Sequence, residues 1–288
     1  AINKCDFSKS KNEPKVKLNI NKWIISELNT VSKQVEKNIN DYRFDEAARN
    51  IYQFVWHSYC DWYVELSKTI LNSKEKSSIS EVKQTLSYVF KHILILLHPF
   101  IPFITEELWL KNKLDKPKNY LMFANWSSKK ANKDKQIKEV ENIINLISQL
   151  RAFKNELNVS PGSFVDMSIS TLSQKDQLFI KKNQTVLKKL GRINSFLDTD
   201  KDKASANLVI KGDIFKIYFD QSIDLSLIKE NLLKRQQKYQ SELDGISKRL
   251  SNKSFVERAP KNIVDQEKNN YSNLKKDIDK ISITIKGL

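Results

Sequence analysis

His57, Cys60 and Asp61 stand at i, i+3 and i+4, the spacing that sets three side chains on one helix face. An imidazole, a thiol and a carboxylate so placed could hold a metal ion or activate the thiol as a nucleophile. The surrounding run, Trp56-His57-Ser58-Tyr59-Cys60-Asp61-Trp62-Tyr63, is mainly aromatic. There a cysteine reads as a small buried hydrophobe beside a hydrogen-bonded histidine. Glu106 and Glu107 are the other pair with acid–base potential. They open a predicted helix, so they are read as stabilising its positive end. Neither group makes an active site, and no catalytic or metal-binding residue is assigned.

Other chemistries fall away on spacing. The glycines are Gly162, Gly191, Gly212, Gly245 and Gly287, whereas a phosphate-binding loop needs clustered glycines. Cys5 and Cys60 form no CxxC pair and no disulfide framework, so a reducing, cytoplasmic setting is expected. The three histidines, His57, His92 and His98, would need an unusual ligand set to bind zinc. The longest aliphatic run is Ile93 to Leu97, far short of the roughly 20 residues that span a bilayer. No signal peptide opens the chain, and the first residue is Ala rather than Met, which suggests a segment of something longer.

The basic residues are more suggestive. The 288 residues include 50 Lys+Arg against 34 Asp+Glu, a net charge of +16, which points to nucleic acid or an anionic membrane surface. Lys9, Lys11, Lys15, Lys17 and Lys22 precede Trp23, and cations followed by an aromatic suit phosphate contact with base stacking. Lys234, Arg235 and Lys238 form a second group, and Lys268, Lys275 and Lys276 a third. Ordinary solvated helix flanks are the alternative reading of both.

The elements that must position these groups are mostly helical. All five tryptophans lie before residue 127. From Trp23, apolar residues recur at Ile24, Leu28, Val31, Val35 and Ile39. A second helix is predicted over Asp45–Leu71, with Ala47, Ile51, Phe54, Val55, Tyr59, Trp62 and Leu66 inward. A third covers Ser80–His98 and is stopped by Pro99. A fourth starts at Pro102 and runs to Lys113. Next come a helix over Asn132–Leu157, a strand near Phe164–Ile169 and a helix over Leu178–Leu190 with Gly191 as its C-cap. A hairpin follows, with Leu208–Ile210 and Ile214–Phe219 flanking Lys211-Gly212-Asp213. Heptad spacing then marks two helices, Ile228–Leu250 and Val264–Ile285, joined across Ser251–Pro260 as an antiparallel hairpin. Their seams face each other, so the rest of the chain is expected to fold without residues 223–288. No reason for Gly245 inside the first arm is visible. The expected architecture is mainly α: a helical bundle (1–126), a small α+β unit (127–222) and a C-terminal coiled-coil hairpin (223–288).

Several of these stretches resemble a known family. Asn21-Lys22-Trp23-Ile24-Ile25-Ser26, Tyr42-Arg43-Phe44-Asp45-Glu46-Ala47-Ala48 and Phe54-Val55-Trp56 with Cys60 to Lys68 resemble the anticodon-binding bundle of class I aminoacyl-tRNA synthetases. His98 to Trp109 is similar to that bundle's next landmark. Leu150 to Gly162 resembles the connecting α/β unit of the valyl-tRNA synthetase family, and Phe255-Val256-Glu257-Arg258-Ala259-Pro260 the turn of its coiled-coil arm. The isoleucyl family typically ends in a cysteine-bearing metal module, and this chain has no cysteine after Cys60.

The resemblance covers nearly the whole chain and implies a division of labour. The bundle meets the anticodon, with Asn19 and Lys22 hydrogen-bonding and Trp23 stacking on a base. Lys22 stands where the family usually has Arg, and an ammonium cannot make the planar bidentate contact. The arm reaches the outer corner of tRNA(Val), with Lys234, Arg235, Lys238, Lys268 and Lys275 on the backbone. Neither a HIGH-like nor a KMSKS-like signature is present. The resemblance therefore implies that ATP binding, valine activation and editing lie outside this chain, which is expected to be inactive alone. It implies a cytoplasmic monomer that holds no cofactor and binds no membrane. Two other classes stay open: a basic nucleic-acid-binding module unrelated to aminoacylation, and a coiled-coil adaptor.

Overall fold

The computed structural model describes residues 13–114, 119–126, 135–201, 205–210, 213–219, 225–252 and 260–288. Cys5, Lys9, Lys11, the Lys211-Gly212 turn and residues 255–259 of the arm's turn lie outside them. The chain divides into two compact units, 1–144 and 145–288. That boundary falls inside a helix, later than the change in composition near residue 127.

The first unit contains α1 (Asn19–Asn40), α2 (Phe44–Gln53), a π-helical segment (Phe54–Val64), α3 (Glu65–Leu71), α4 (Lys76–Leu97) and α5 (Pro102–Lys111). As the spacing predicts, Ile24, Leu28, Val31 and Val35 form the buried face of α1. Leu18, at the N-cap of α1, offers no side-chain acceptor. Glu81 of α4 supplies one, since its Oε1 accepts from the Lys17 N–H at 2.9 Å and the Leu18 N–H at 2.8 Å. A carboxylate at the positive end of a helix is also favourable electrostatically.

The predicted helix over Asp45–Leu71 is interrupted by eleven π-helical residues. Their wider turn shifts the buried face. Phe54, Tyr59 and Tyr63 point inward, at spacings of five and four, while Trp62 and Val55 are only half-buried. Tyr63 thus replaces Trp62 in the core, and Trp56 is exposed.

Pro102 does stand in the first turn of α5. The Glu106-Glu107 reading needs correction, because no acidic residue lies in that first turn. Glu106 instead accepts from the Leu121 N–H with both carboxylate oxygens, each at 3.0 Å. It thereby holds a short 3-10 turn, Leu121–Phe123, against α5. Trp109 is buried between them, and its Nε1 donates to the Asn119 carbonyl at 3.0 Å.

α6 (Lys135–Glu156) runs through the boundary between the units. The second unit then forms β1 (Val165–Ser168), α7 (Gln174–Gly191), β2 (Ile193–Leu197), β3 (Ala206–Ile210) and β4 (Asp213–Phe219). The sheet order is β2-β1-β4-β3, with β1 and β2 parallel and the other pairs antiparallel. Strand β2 has no counterpart among the predicted elements. Its Asn194 and Ser195 carry no strand signal, yet both donate to Asp166 Oδ1 on β1, at 3.2 and 2.6 Å.

Gly191 is not the C-cap of α7. It is the helix's last residue, and Arg192 takes the left-handed position with φ 54°. A Cβ on Gly191 would lie 3.1 Å from Cδ1 of Ile193 and 3.5 Å from Cδ2 of Leu150. The glycine therefore serves close packing. Beside it, Lys154 is 1 % exposed and donates to the carbonyls of Ser163 (2.8 Å) and Gly191 (3.1 Å). Burial, with Arg151 and Arg192 nearby, lowers its pKa to about 8.

The arm is α8 (Leu225–Ser251) against α9 (Lys261–Gly287), each about 40 Å long at roughly 1.5 Å per residue. Gln236 Nε2 donates to Ser282 Oγ at 2.7 Å, and Arg249 meets Glu267 at 3.4 Å, which sets an antiparallel register. Leu243, Ile246 and Val264 are buried along it. The base of the arm is not independent of the sheet. Asn207 of β3 donates to the Ile283 carbonyl, and Thr284 donates to the Asn207 carbonyl, both at 3.2 Å. Ile228, Leu232, Ile281 and Thr284 are buried there. The premise that the arm's seams face only each other is corrected: its base also covers β3, which a deletion of residues 223–288 uncovers.

Candidate nucleic-acid interface

In the first unit the start of α1 brings Asn19 and Lys22 to the start of α6. Asn19 Nδ2 donates to Glu139 Oε2 at 2.8 Å, and Lys22 Nζ donates to Gln136 Oε1. Both are half-buried. Both already hold protein acceptors, which an RNA base or phosphate would have to replace. Trp23 is 4 % exposed, so its ring fills the core and leaves no face for a base. The stacking role read for Trp23 is therefore corrected. Cations and aromatics at helical spacing cannot by themselves tell a core tryptophan from a stacking one.

Other aromatics do face solvent. Tyr42 and Phe44 meet edge-on with centroids 6.3 Å apart, and Tyr52 and Trp56 stand 6.3 Å apart at 53°. All four are exposed. Arg43 and Arg49 lie among them, both paired to Glu46. Tyr42 reaches the surface because it takes the left-handed position (φ 58°) after α1, a place glycine usually fills. Exposed rings with interleaved guanidinium groups are what base stacking uses. Sequence reasoning gave these four rings no binding role. The π-helical turn that exposes Trp56 had no visible signal.

His57 Nδ1 lies 3.4 Å from Asp61 Oδ2 on an exposed face. Burial, aided by Asp61, raises the Cys60 thiol above its usual pKa, the opposite of an activated nucleophile. Among the described residues no group of three or more His, Cys, Asp or Glu could hold a metal ion. Nor is any helix among them long and apolar enough to cross a membrane.

In the second unit the arm spreads its cations along its length. Lys234, Lys238, Lys268 and Lys275 are all exposed, and Lys234 pairs with Glu230 at 2.6 Å. By the register above, Lys234 and Lys238 lie near the base and Lys268 near the far end. Arg235 differs: its guanidinium is folded onto the Tyr239 ring at 5.1 Å, and its Nε donates to the Tyr239 hydroxyl at 3.0 Å. The arm thus offers a row of separated positive charges, suited to a phosphate backbone rather than to one pocket.

A helical bundle with exposed rings and cations, followed by a long basic arm, defines an RNA-handling module. Residues 21–169 match the anticodon-binding domain of tRNA ligases, and residues 224–288 match the valyl-tRNA synthetase tRNA-binding arm. The first match spans 149 of 288 residues, and the chain belongs to this tRNA-ligase family. Among its relatives, the valine–tRNA ligase of Pelagibacter ubique is 60 % identical over 99 % of this chain and 33 % of its own length. The valine–tRNA ligase of Zymomonas mobilis is 33 % identical over 99 % of this chain and 33 % of its own length. That of Ruegeria pomeroyi is 34 % identical over 88 % of this chain and 25 % of its own length. The chain spans a third or less of these relatives and corresponds to the C-terminal part of the Pelagibacter ubique ligase.

Proposed function

We propose that this chain is the tRNA-handling part of a valine–tRNA ligase. The bundle approaches the anticodon of tRNA(Val), and the arm contacts the outer corner of the same molecule. The observation that carries this reading is the order of the two matched regions, anticodon-binding domain then tRNA-binding arm, in one chain with a net charge of +16. Asn19 and Lys22 supply hydrogen bonds at the anticodon end, and the exposed Tyr52 and Trp56 supply stacking in place of Trp23. Lys234, Lys238, Lys268 and Lys275 neutralise phosphates along the arm. ATP binding and valine transfer belong to the remainder of the enzyme, and the chain works as one cytoplasmic copy per tRNA.

The test compares binding of tRNA(Val), the same tRNA with an exchanged anticodon, and an anticodon stem-loop. Each stacked base is worth roughly 1–3 kcal/mol, so Trp56→Ala should lower discrimination between the two tRNAs by about tenfold. Equal affinity for both tRNAs in the unaltered chain overturns the anticodon reading.

A further inference from the structure

Among the described residues of the first unit, exposed large hydrophobics gather on α5 and the turn bolted to it. Phe103 is 91 % exposed, Phe123 74 % and Met122 66 %, with Ile101, Ile104, Leu110 and Tyr120 also exposed. Phe103, Glu106 and Leu110 follow one another at helical spacing on α5. Because Glu106 grips the Leu121 N–H, the turn carrying Met122 and Phe123 is pinned beside that row. The surface is held from below by the buried Leu94, Ile95, Trp109, Leu114 and Leu121, so it is a fixed feature. Its charge is anomalous for this protein. In a chain with 50 basic residues, none lies in 99–110 or 119–126, and the charges present are the carboxylates of Glu106 and Glu107. Two cations stand beside it, Lys91 with its Nζ 5.2 Å from the centroid of the Trp109 ring and Lys111 at the end of α5, so a phosphate backbone would find little positive charge on the apolar face itself. Large exposed apolar patches mark protein contacts.

We propose that this surface seats the rest of the ligase, the portion that the Pelagibacter ubique ligase carries ahead of the third matched by this chain. The proposal rests on the family assignment, and the occupant follows from the two thirds of those relatives that the chain does not include. Phe103 and Phe123 are the anchors, entering the facing surface as interface aromatics do. The exposed rings at Tyr52 and Trp56, interleaved with Arg43 and Arg49, stay free for RNA.

Hydroxyl-radical footprinting of Phe103, Met122 and Phe123 tests this. It is run on this chain alone and on the full-length Pelagibacter ubique ligase carrying this chain in place of its matching third. Tyr52 and Trp56 serve as internal references. Oxidation of the three residues should fall about tenfold in the longer protein, as for rings entering an interface core, with the references unchanged. Equal oxidation in both proteins overturns the proposal. Protection by tRNA alone also overturns it, making the surface an RNA site, as does protection that grows with chain concentration, which signals a second copy. If the exchanged ligase does not fold, hydrogen exchange over the stretch aligned with 119–126 in the native Pelagibacter ubique ligase decides. Exchange no slower there than in this chain overturns the proposal. The chain's tRNA affinity is measured in parallel, so loss of the tRNA reading is seen separately from loss of this one.

Discussion

The Tyr63 hydroxyl donates a 2.7 Å hydrogen bond to Oδ1 of Asn21, joining the π-helical segment to the first turn of α1. Asn21 is fully buried, and its Nδ2 donates in turn to Oε1 of Glu81 at 2.9 Å, the same oxygen that caps the entry of α1. The helix start that presents Asn19 and Lys22 is therefore fixed by a chain of buried polar contacts. Tyr63→Phe strands Asn21 Oδ1 and should destabilise the first unit by about 1–3 kcal/mol. Urea unfolding checks it, and a variant as stable as the parent would show that this hydrogen bond is not holding α1.

Trp23→Ala belongs to the same region but acts by another route. Removal of a buried indole should cost about 3–5 kcal/mol. Any drop in tRNA affinity should follow the folded fraction in a thermal melt. A folded variant with selectively altered anticodon preference would restore a binding role to Trp23.

Much of the architecture was legible from apolar spacing. The 4-3-4 row in α1, the Pro99 stop and Pro102 start, the β3–β4 hairpin and the heptads of the arm all lie where the pattern puts them. The misses have physical causes. The π-helical turns changed which aromatics faced inward, and periodicity assumes 3.6 residues per turn. Strand β2 is held by side-chain bonds to Asp166 rather than by β-forming residues. Gly191 looked like a cap because glycine is the usual cap, whereas its role depends on close contact with Ile193, the first residue of β2, and with Leu150, far away in sequence. At the candidate interface the basic residues were readable, but which ring was buried was not, since burial is a tertiary property.

Lys154 gives a pH signature. Its folded pKa, about 8, lies below the ordinary 10.5 because burial opposes the charge. Between those values the unfolded chain binds more protons than the folded one, so this residue's contribution to stability rises with pH from about 8 to 10.5. Lys154→Met abolishes that rise and strands the Ser163 and Gly191 carbonyls. It should cost about 2–4 kcal/mol at pH 7, with a deficit that widens toward pH 10. Urea midpoints at pH 7, 8.5 and 10 measure this. A deficit that narrows on raising the pH would refute the assignment.

The arm's cations make a salt prediction. Lys234→Gln, Lys238→Gln, Lys268→Gln and Lys275→Gln combined should lower the log–log salt slope of tRNA binding by about 0.9 for each duplex phosphate no longer neutralised. Arg235 is left in place because it is engaged with Tyr239. An isolated anticodon stem-loop should bind both proteins alike. An equal weakening for stem-loop and whole tRNA would mean that the arm acts as unspecific charge.

Two glycines should answer one substitution with opposite signs. Gly245 lies exposed within α8, and a Cβ there meets nothing within 4 Å. Gly245→Ala relieves the conformational freedom of the unfolded chain without new contacts, and should stabilise the arm by about 0.5–1 kcal/mol. Gly191→Ala gains the same helical preference in α7, but its Cβ would press on Ile193 at 3.1 and 3.3 Å. Ile193 and Leu150 are both buried, so neither can retreat into solvent. Crowding of this kind costs typically about 1–3 kcal/mol, which exceeds the propensity gain. The net expectation is a loss of about 1 kcal/mol for Gly191→Ala. Thermal melts of the two single variants and their double decide the matter. The sites are separate, so the double should fall near the sum. If Gly191→Ala stabilises as much as Gly245→Ala, then α7 and β2 can part freely, and close packing is not why glycine stands at 191.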